Sequence, residues 1–194
     1  MAETSKTLRA DAERNRQAII CAAGSVFAEE GTAVTLERIA SAAGVGVGTI
    51  YRRFATIDEL IGVVLEEKMR RYADRTEEAA VQAQDTPWEA FQGWVWFVLE
   101  QQATDLAFSD VLLSAGTVSE LFDTEVRRAF RASISLVSRA RTAGAIRPDF
   151  EQSDLLMLQL ANAGLVRGTH QSAPDSWRRF GDYMLQSFRT SPAV

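Results

Sequence analysis

Thr49, Tyr51, Arg52 and Arg53 stand almost side by side, directly after the glycine-rich run Gly44-Val45-Gly46-Val47-Gly48. A hydroxyl, a phenol and two guanidinium groups so close together form a set of hydrogen-bond donors matched to phosphate oxygens. The small residues before them let this stretch of backbone approach another polymer closely. Thr35 upstream adds a further hydroxyl, and Val47 a small apolar group. The glycine run also resembles part of a dinucleotide-binding loop, but no strand pattern precedes it and the full glycine spacing is absent.

Chemistry that breaks bonds finds little support. The chain has a single histidine, His170, and a single cysteine, Cys21. No nucleophile is paired with a base, and no cluster has metal-ligand spacing. A non-enzyme with no metal and no cofactor is therefore expected. Cys21 lies between apolar neighbours on a helical stretch and is expected in the core, while His170 is expected at the surface or capping a helix.

The formal charge of the 194 residues is −5, which alone would argue against a partner made of phosphates. It is unevenly spread, since residues 1–54 sum to +1 and the remainder to −6. Arg9, Arg14 and Arg16 near the N-terminus are candidates for an arm that contacts phosphates, although Asp11 and Glu13 between them make a solvated helix face nearly as good a reading. No apolar run is long enough for a signal peptide or a membrane span, so a cytoplasmic protein without membrane contact is expected.

The elements that must hold these residues all read as helices. Ile19, Ile20, Ala23, Val26 and Phe27 give a stripe on a helix predicted from Asp11 to Glu30, which Gly31 ends. Thr35 caps a short helix through Leu36, Ile39 and Ala40 to Gly44, and a second short one carries Ile50 and Phe54 inward. Two short helices joined through a glycine turn make a helix-turn-helix. Thr56 then caps a long helix through Leu60, Ile61, Val64, Leu65 and Met69. Further helices are predicted near 87–103, 105–115, 120–143, 151–171 and 174–189, with breaks at Asp85-Thr86-Pro87, Gly116, Gly144, Pro148 and Pro174.

Along Thr35-Leu36-x-x-Ile39-Ala40-x-x-Ala43-Gly44-Val45-x-x-Gly48-Thr49-Ile50-Tyr51-x-x-Phe54 the sequence resembles the tetracycline-repressor (TetR) family of bacterial regulators. The resemblance implies an all-α protein with an N-terminal three-helix DNA-binding domain, 1–56, and a larger helical domain, 57–194, for effector binding and dimerisation. It implies a regulator that binds a double-stranded, palindromic operator as a homodimer and is released by a small molecule. A transcriptional activator or a ligand-independent regulator of the same fold is the alternative left open. DNA contacts are expected from Thr35, Gly46, Val47, Gly48, Thr49, Tyr51, Arg52 and Arg53. In the family the positions of Gly46, Val47 and Ile57 are often serine, lysine and lysine, so this chain departs from the pattern at three contact positions.

The C-terminal half offers candidates by composition. Trp88, Phe91, Trp94, Trp96 and Phe97 are too many aromatics for one helix face, so they must serve different neighbours. With Met69, Tyr72, Phe108, Leu112 and Phe130, three of them (Trp88, Phe91 and Trp94) are the candidate walls of a largely apolar effector pocket, Phe91 and Trp94 foremost. Apolar residues surround most of segment 153–168, and Trp177, Phe180, Met184 and Phe188 recur at helical steps. Leu155, Leu158, Ala161, Leu165, Trp177, Phe180, Met184 and Phe188 are therefore expected at a four-helix dimer interface.

Overall fold

The computed structural model describes residues 2–113, 120–169 and 172–190, the first eleven of these (2–12) as backbone alone. Gly116 and His170 lie outside the described residues, as does the side chain of Arg9. Every regular element described is a helix, apart from one isolated antiparallel bridge between Ile146 and Arg189. None of these helices is long and apolar enough to cross a membrane.

Helix α1 (Ala2–Glu30) begins earlier than its apolar stripe, which buries Ile19, Ala23, Val26 and Phe27. Two residues from Ile19 on a helix is a turn of about 200°, and Cys21 accordingly faces solvent rather than the expected core. At Gly31 the backbone takes the left-handed conformation, φ 81°, and its N–H closes the helix on the Phe27 carbonyl at 2.9 Å. A side chain at the same glycine would displace Asp110, because a Cβ there would stand 2.5 Å from an Asp110 carboxylate oxygen.

Helices α2 (Leu36–Ala43) and α3 (Val47–Tyr51) are short and depend on their caps and on burial. Thr35 Oγ1 accepts the Arg38 N–H at 3.2 Å, and Gly44, at φ 65°, ends α2. Leu36, Ile39, Ala40, Ile50 and Phe54 are buried together with the α1 stripe. Helix α4 (Ile57–Gln82) starts with a reciprocal cap: Thr56 Oγ1 accepts the Glu59 N–H at 3.1 Å, and the Glu59 carboxylate accepts the Ala55 N–H at 2.8 Å.

The larger half comprises α5 (Pro87–Thr104), α6 (Leu106–Leu113), α7 (Asp123–Thr142), α8 (Gln152–Thr169) and α9 (Ser176–Phe188). Asp105 joins α5 to α6, capping the Phe108 N–H at 3.1 Å and pairing with Lys68 of α4. Helix α7 packs along α4, where Arg128 bridges Asp74 and Glu77 at 2.7 Å each. Phe91, Phe150 and Phe188 stack edge to face with centroids 4.9 to 6.4 Å apart, tying α5 to the two ends of the C-terminal helical pair. Between α5 and α8, buried Asn162 donates to the Leu99 carbonyl and to Gln102, which donates in turn to the Gln159 carbonyl.

Candidate functional site

Helix α3 is divided along its length. Ile50 and the following Phe54 are almost wholly buried, and they hold the helix against α2. Gly46, Val47, Gly48, Tyr51, Arg52 and Arg53 are exposed on the other side, Thr49 is half-buried, and Thr35 is exposed at the start of α2. Tyr51 leaves 53% of its surface in solvent, a large exposure for an aromatic residue held between two buried anchors.

Charge separates this surface from its surroundings. Arg38 of α2 is engaged by Glu30 at 2.6 Å, and Arg16 lies near Glu13 with its guanidinium over the Phe54 ring. Arg52 instead donates to Thr49 Oγ1 at 3.2 Å, and neither Arg52 nor Arg53 meets a carboxylate among the described residues. Two guanidinium groups without a carboxylate partner among the described residues therefore stand beside a phenol and a hydroxyl at the C-terminal end of α3. Val47 and Ile57, where the family pattern often has lysine, supply no charge; Val47 is exposed and Ile57 packs partly against the core.

The larger half contains a cavity of about 290 Å³. Tyr72 of α4, Trp94 of α5 and Leu112 of α6 form an apolar wall, which Val126 and Phe130 of α7 and Leu155 and Leu156 of α8 extend. Ser133, Gln152, Ser153 and Gln159 supply a polar edge. The Trp94 indole N–H donates to Thr76 Oγ1 at 2.9 Å, and that hydroxyl donates to the Tyr72 carbonyl at 2.7 Å. Burial pushes the Tyr72 phenol above its ordinary range, so it stays neutral.

Four of the eight expected pocket residues, Tyr72, Trp94, Leu112 and Phe130, meet at this cavity. Phe91 does not, because its ring belongs to the cluster with Phe150 and Phe188. Met69 and Phe108 are buried in the core and are not among the lining residues, Phe108 packing edge to face on Tyr72, and Trp88 is half-buried beneath the Arg189 guanidinium. Composition missed Val126, Ser133, Gln152, Ser153, Leu156 and Gln159. Helical register carried the signal, since Val126, Phe130 and Ser133 recur at steps of four and three, as do Gln152, Leu155 or Leu156, and Gln159.

The expected interface residues also divide. Leu155, Leu158, Trp177 and Phe188 are buried in the chain's own core, Leu165, Phe180 and Met184 are half-buried, and Ala161 is exposed. The outward faces of α8 and α9 instead carry Leu156, Met157, Leu160 and Tyr183, each more than half exposed. An apolar helix that is buried on one side still leaves a second face, and on α8 the exposed face carries Leu156, Met157, Leu160 and the expected Ala161.

A short helix capped by Thr35 and packed through a glycine turn on a second short helix, which leads into Arg52 and Arg53, is a helix-turn-helix. Residues 19–64 match the family described as bacterial regulatory proteins, tetR family, and residues 86–186 match the C-terminal domain described as transcriptional regulator SbtR-like. An HTH-type transcriptional regulator of Staphylococcus aureus is 38% identical over 63 residues, which is 32% of this chain and 34% of that relative. The chain thus matches about a third of the length of the curated relatives. A TetR transcriptional regulator structure from Streptomyces coelicolor superimposes with a TM-score of 0.56 at 29% identity, covering 91% of this chain and 99% of that one. SmeT in complex with triclosan, from Stenotrophomonas maltophilia, has a TM-score of 0.58 at 21% identity over 93% and 96% of the two chains and shares the fold. The chain belongs to the TetR family of bacterial regulatory proteins.

Proposed function

We propose that this regulator is a cytoplasmic repressor that binds a palindromic double-stranded operator as a homodimer and leaves it when a small, largely apolar effector enters the 290 Å³ cavity. Residues 1–56 are the DNA-binding domain and 57–194 the sensing and dimerising domain. The observation that carries the reading is α3, whose inner face is buried while Tyr51, Arg52 and Arg53 face solvent without an acidic partner among the described residues. Thr35, Gly46, Val47, Gly48 and Thr49 complete the contact surface, the hydroxyls and backbone on phosphates and Val47 on a base methyl. The outward apolar faces of α8 and α9 supply the contact between two copies.

Release requires the cavity to reach the DNA-binding half, and two helices connect them. Helix α4 starts just after α3 and carries Tyr72, about 22 Å along its axis, into the cavity wall. Helix α6 carries Leu112 in the same wall, and its Asp110 accepts the Thr32 N–H at 2.7 Å and the Thr32 hydroxyl at 3.1 Å. A ligand that is bound better when these helices are displaced shifts the spacing of the paired α3 helices away from successive major grooves. A member of the same fold solved with triclosan illustrates a small ligand in such a protein. The test is selection of bound sequences from a random DNA pool. Two inverted half-sites about one helical turn apart are the expected result, and a pool without enrichment overturns the reading.

A further inference from the structure

We propose that the cavity takes an uncharged aromatic molecule of about two rings that donates a hydrogen bond to Gln152. The inference rests on the reading of this cavity as the effector site. Size comes first: a dry cavity of about 150 Å³ holds one benzene ring, and this one has 290 Å³.

Charge comes next. No Asp, Glu, Lys or Arg among the described residues lines the cavity, and the phenol of its wall residue Tyr72 is held neutral by burial. An ion entering here would lose its hydration without gaining a counter-charge. Trp94 lines the cavity with its only polar side-chain atom already bonded to Thr76, so its contribution to the wall is apolar and aromatic.

Hydrogen bonding then fixes the polar group. Ser133 has one hydroxyl proton, which goes to the Phe130 carbonyl at 2.8 Å. Ser133 can therefore only accept from Gln152, and Gln152 Nε2 donates to it at 2.6 Å. This orients the Gln152 amide and leaves Oε1 buried without a partner. An amide oxygen can only accept, so the complementary ligand group is a hydroxyl or an N–H. Ser133 of α7 and Gln152, Ser153 and Gln159 of α8 make up this polar edge.

Three probes of one shape separate these terms: 2-naphthol, naphthalene and 2-naphthoate, titrated at neutral pH against the full chain by tryptophan fluorescence and calorimetry. The expected order places 2-naphthol about tenfold tighter than naphthalene, which is the effect of one neutral hydrogen bond, with 2-naphthoate weakest. Gln152→Leu should reduce the ratio of 2-naphthol to naphthalene affinity from about ten to about one, with helical content unchanged. Equal binding of the two neutral probes, preferred binding of the carboxylate, or an advantage of 2-naphthol that survives in Gln152→Leu would each overturn the proposed ligand class while leaving the cavity as the effector site. Failure of all three to bind would overturn the cavity reading along with it.

Discussion

The contact between Gly31 and Asp110 joins the two halves of the chain, and its energetics can be worked from the geometry. A Cβ at Gly31 would meet the Asp110 carboxylate at 2.5 Å, and the backbone there has φ 81°. An alanine in this left-handed conformation costs about 1–2 kcal/mol in any surroundings. Gly31→Ala must also push the carboxylate off the Thr32 amide and hydroxyl, which it now accepts at 2.7 and 3.1 Å. Hydrogen bonds to a charged group contribute about 1.5–3 kcal/mol when buried; the Asp110 side chain is 24% exposed, so about 1–2 kcal/mol is the appropriate range. The Arg167 partner of Asp110 is more exposed and adds little.

Gly31→Ala should then destabilise by roughly 2–4 kcal/mol and Asp110→Ala by about 1–2 kcal/mol. In the double variant the clash has vanished, and only the backbone strain is added to the loss of the carboxylate. The two changes should therefore be less than additive by about 1–2 kcal/mol. Urea denaturation of the four proteins, followed by far-ultraviolet circular dichroism, measures this. Additivity within about 0.5 kcal/mol, or an Asp110→Ala variant as stable as the parent, would refute the reasoning. If α6 also transmits the effector signal, Asp110→Ala should reduce the ratio of operator affinities without and with effector.

Three further outcomes are expected. Met157→Glu and Leu160→Glu, on the exposed face of α8, should convert a sedimenting dimer to a folded monomer, whereas Leu158→Glu, in the chain's own core, should unfold it; a dimer that survives both surface changes would place the interface elsewhere. Thr76→Val should cost about 1–3 kcal/mol by leaving the buried Trp94 N–H without its acceptor, with a shift in tryptophan emission, and an unchanged urea midpoint would contradict this. Asp149, held at about 2 by the Arg147 guanidinium against an ordinary 3.8, contributes stability above its ordinary value that is lost as pH falls toward about 2; a carboxyl NMR titration should show that midpoint, and Arg147→Ala should return it to the ordinary range.

Local rules made the DNA-facing half readable. Thr35, Gly44 and Thr56 act as caps where their residue types place them, and the steps Ile39–Ala40 and Ile50–Phe54 point inward, which leaves Tyr51 and the arginines outside. In the second half, composition identified apolar residues without saying which helix each would meet. Phe91 and Trp94 lie three positions apart on α5, yet Phe91 meets Phe150 and Phe188 while Trp94 meets Thr76 and the cavity. That difference depends on the placement of the 146–150 turn and of the α9 end, which are distant in sequence. The polar edge was missed for a related reason, since Ser133 and Gln152 gain meaning only once α7 and α8 bring them within 2.6 Å. Cys21 was misplaced by its apolar neighbours, where its angle from Ile19 would have put it outside.

Operator affinity of Tyr51→Ala and Arg52→Ala, measured across a range of salt concentrations on a sequence selected by the parent protein, tests the central claim most directly. Both side chains are exposed, so helical content, urea midpoint and sedimentation should stay at the parental values. Each variant should bind about tenfold or more weakly, and Arg52→Ala should lower the slope of log affinity against log salt by about one for each phosphate that is no longer neutralised. Parental affinity and slope in both variants would contradict the assignment of α3 as the DNA reader.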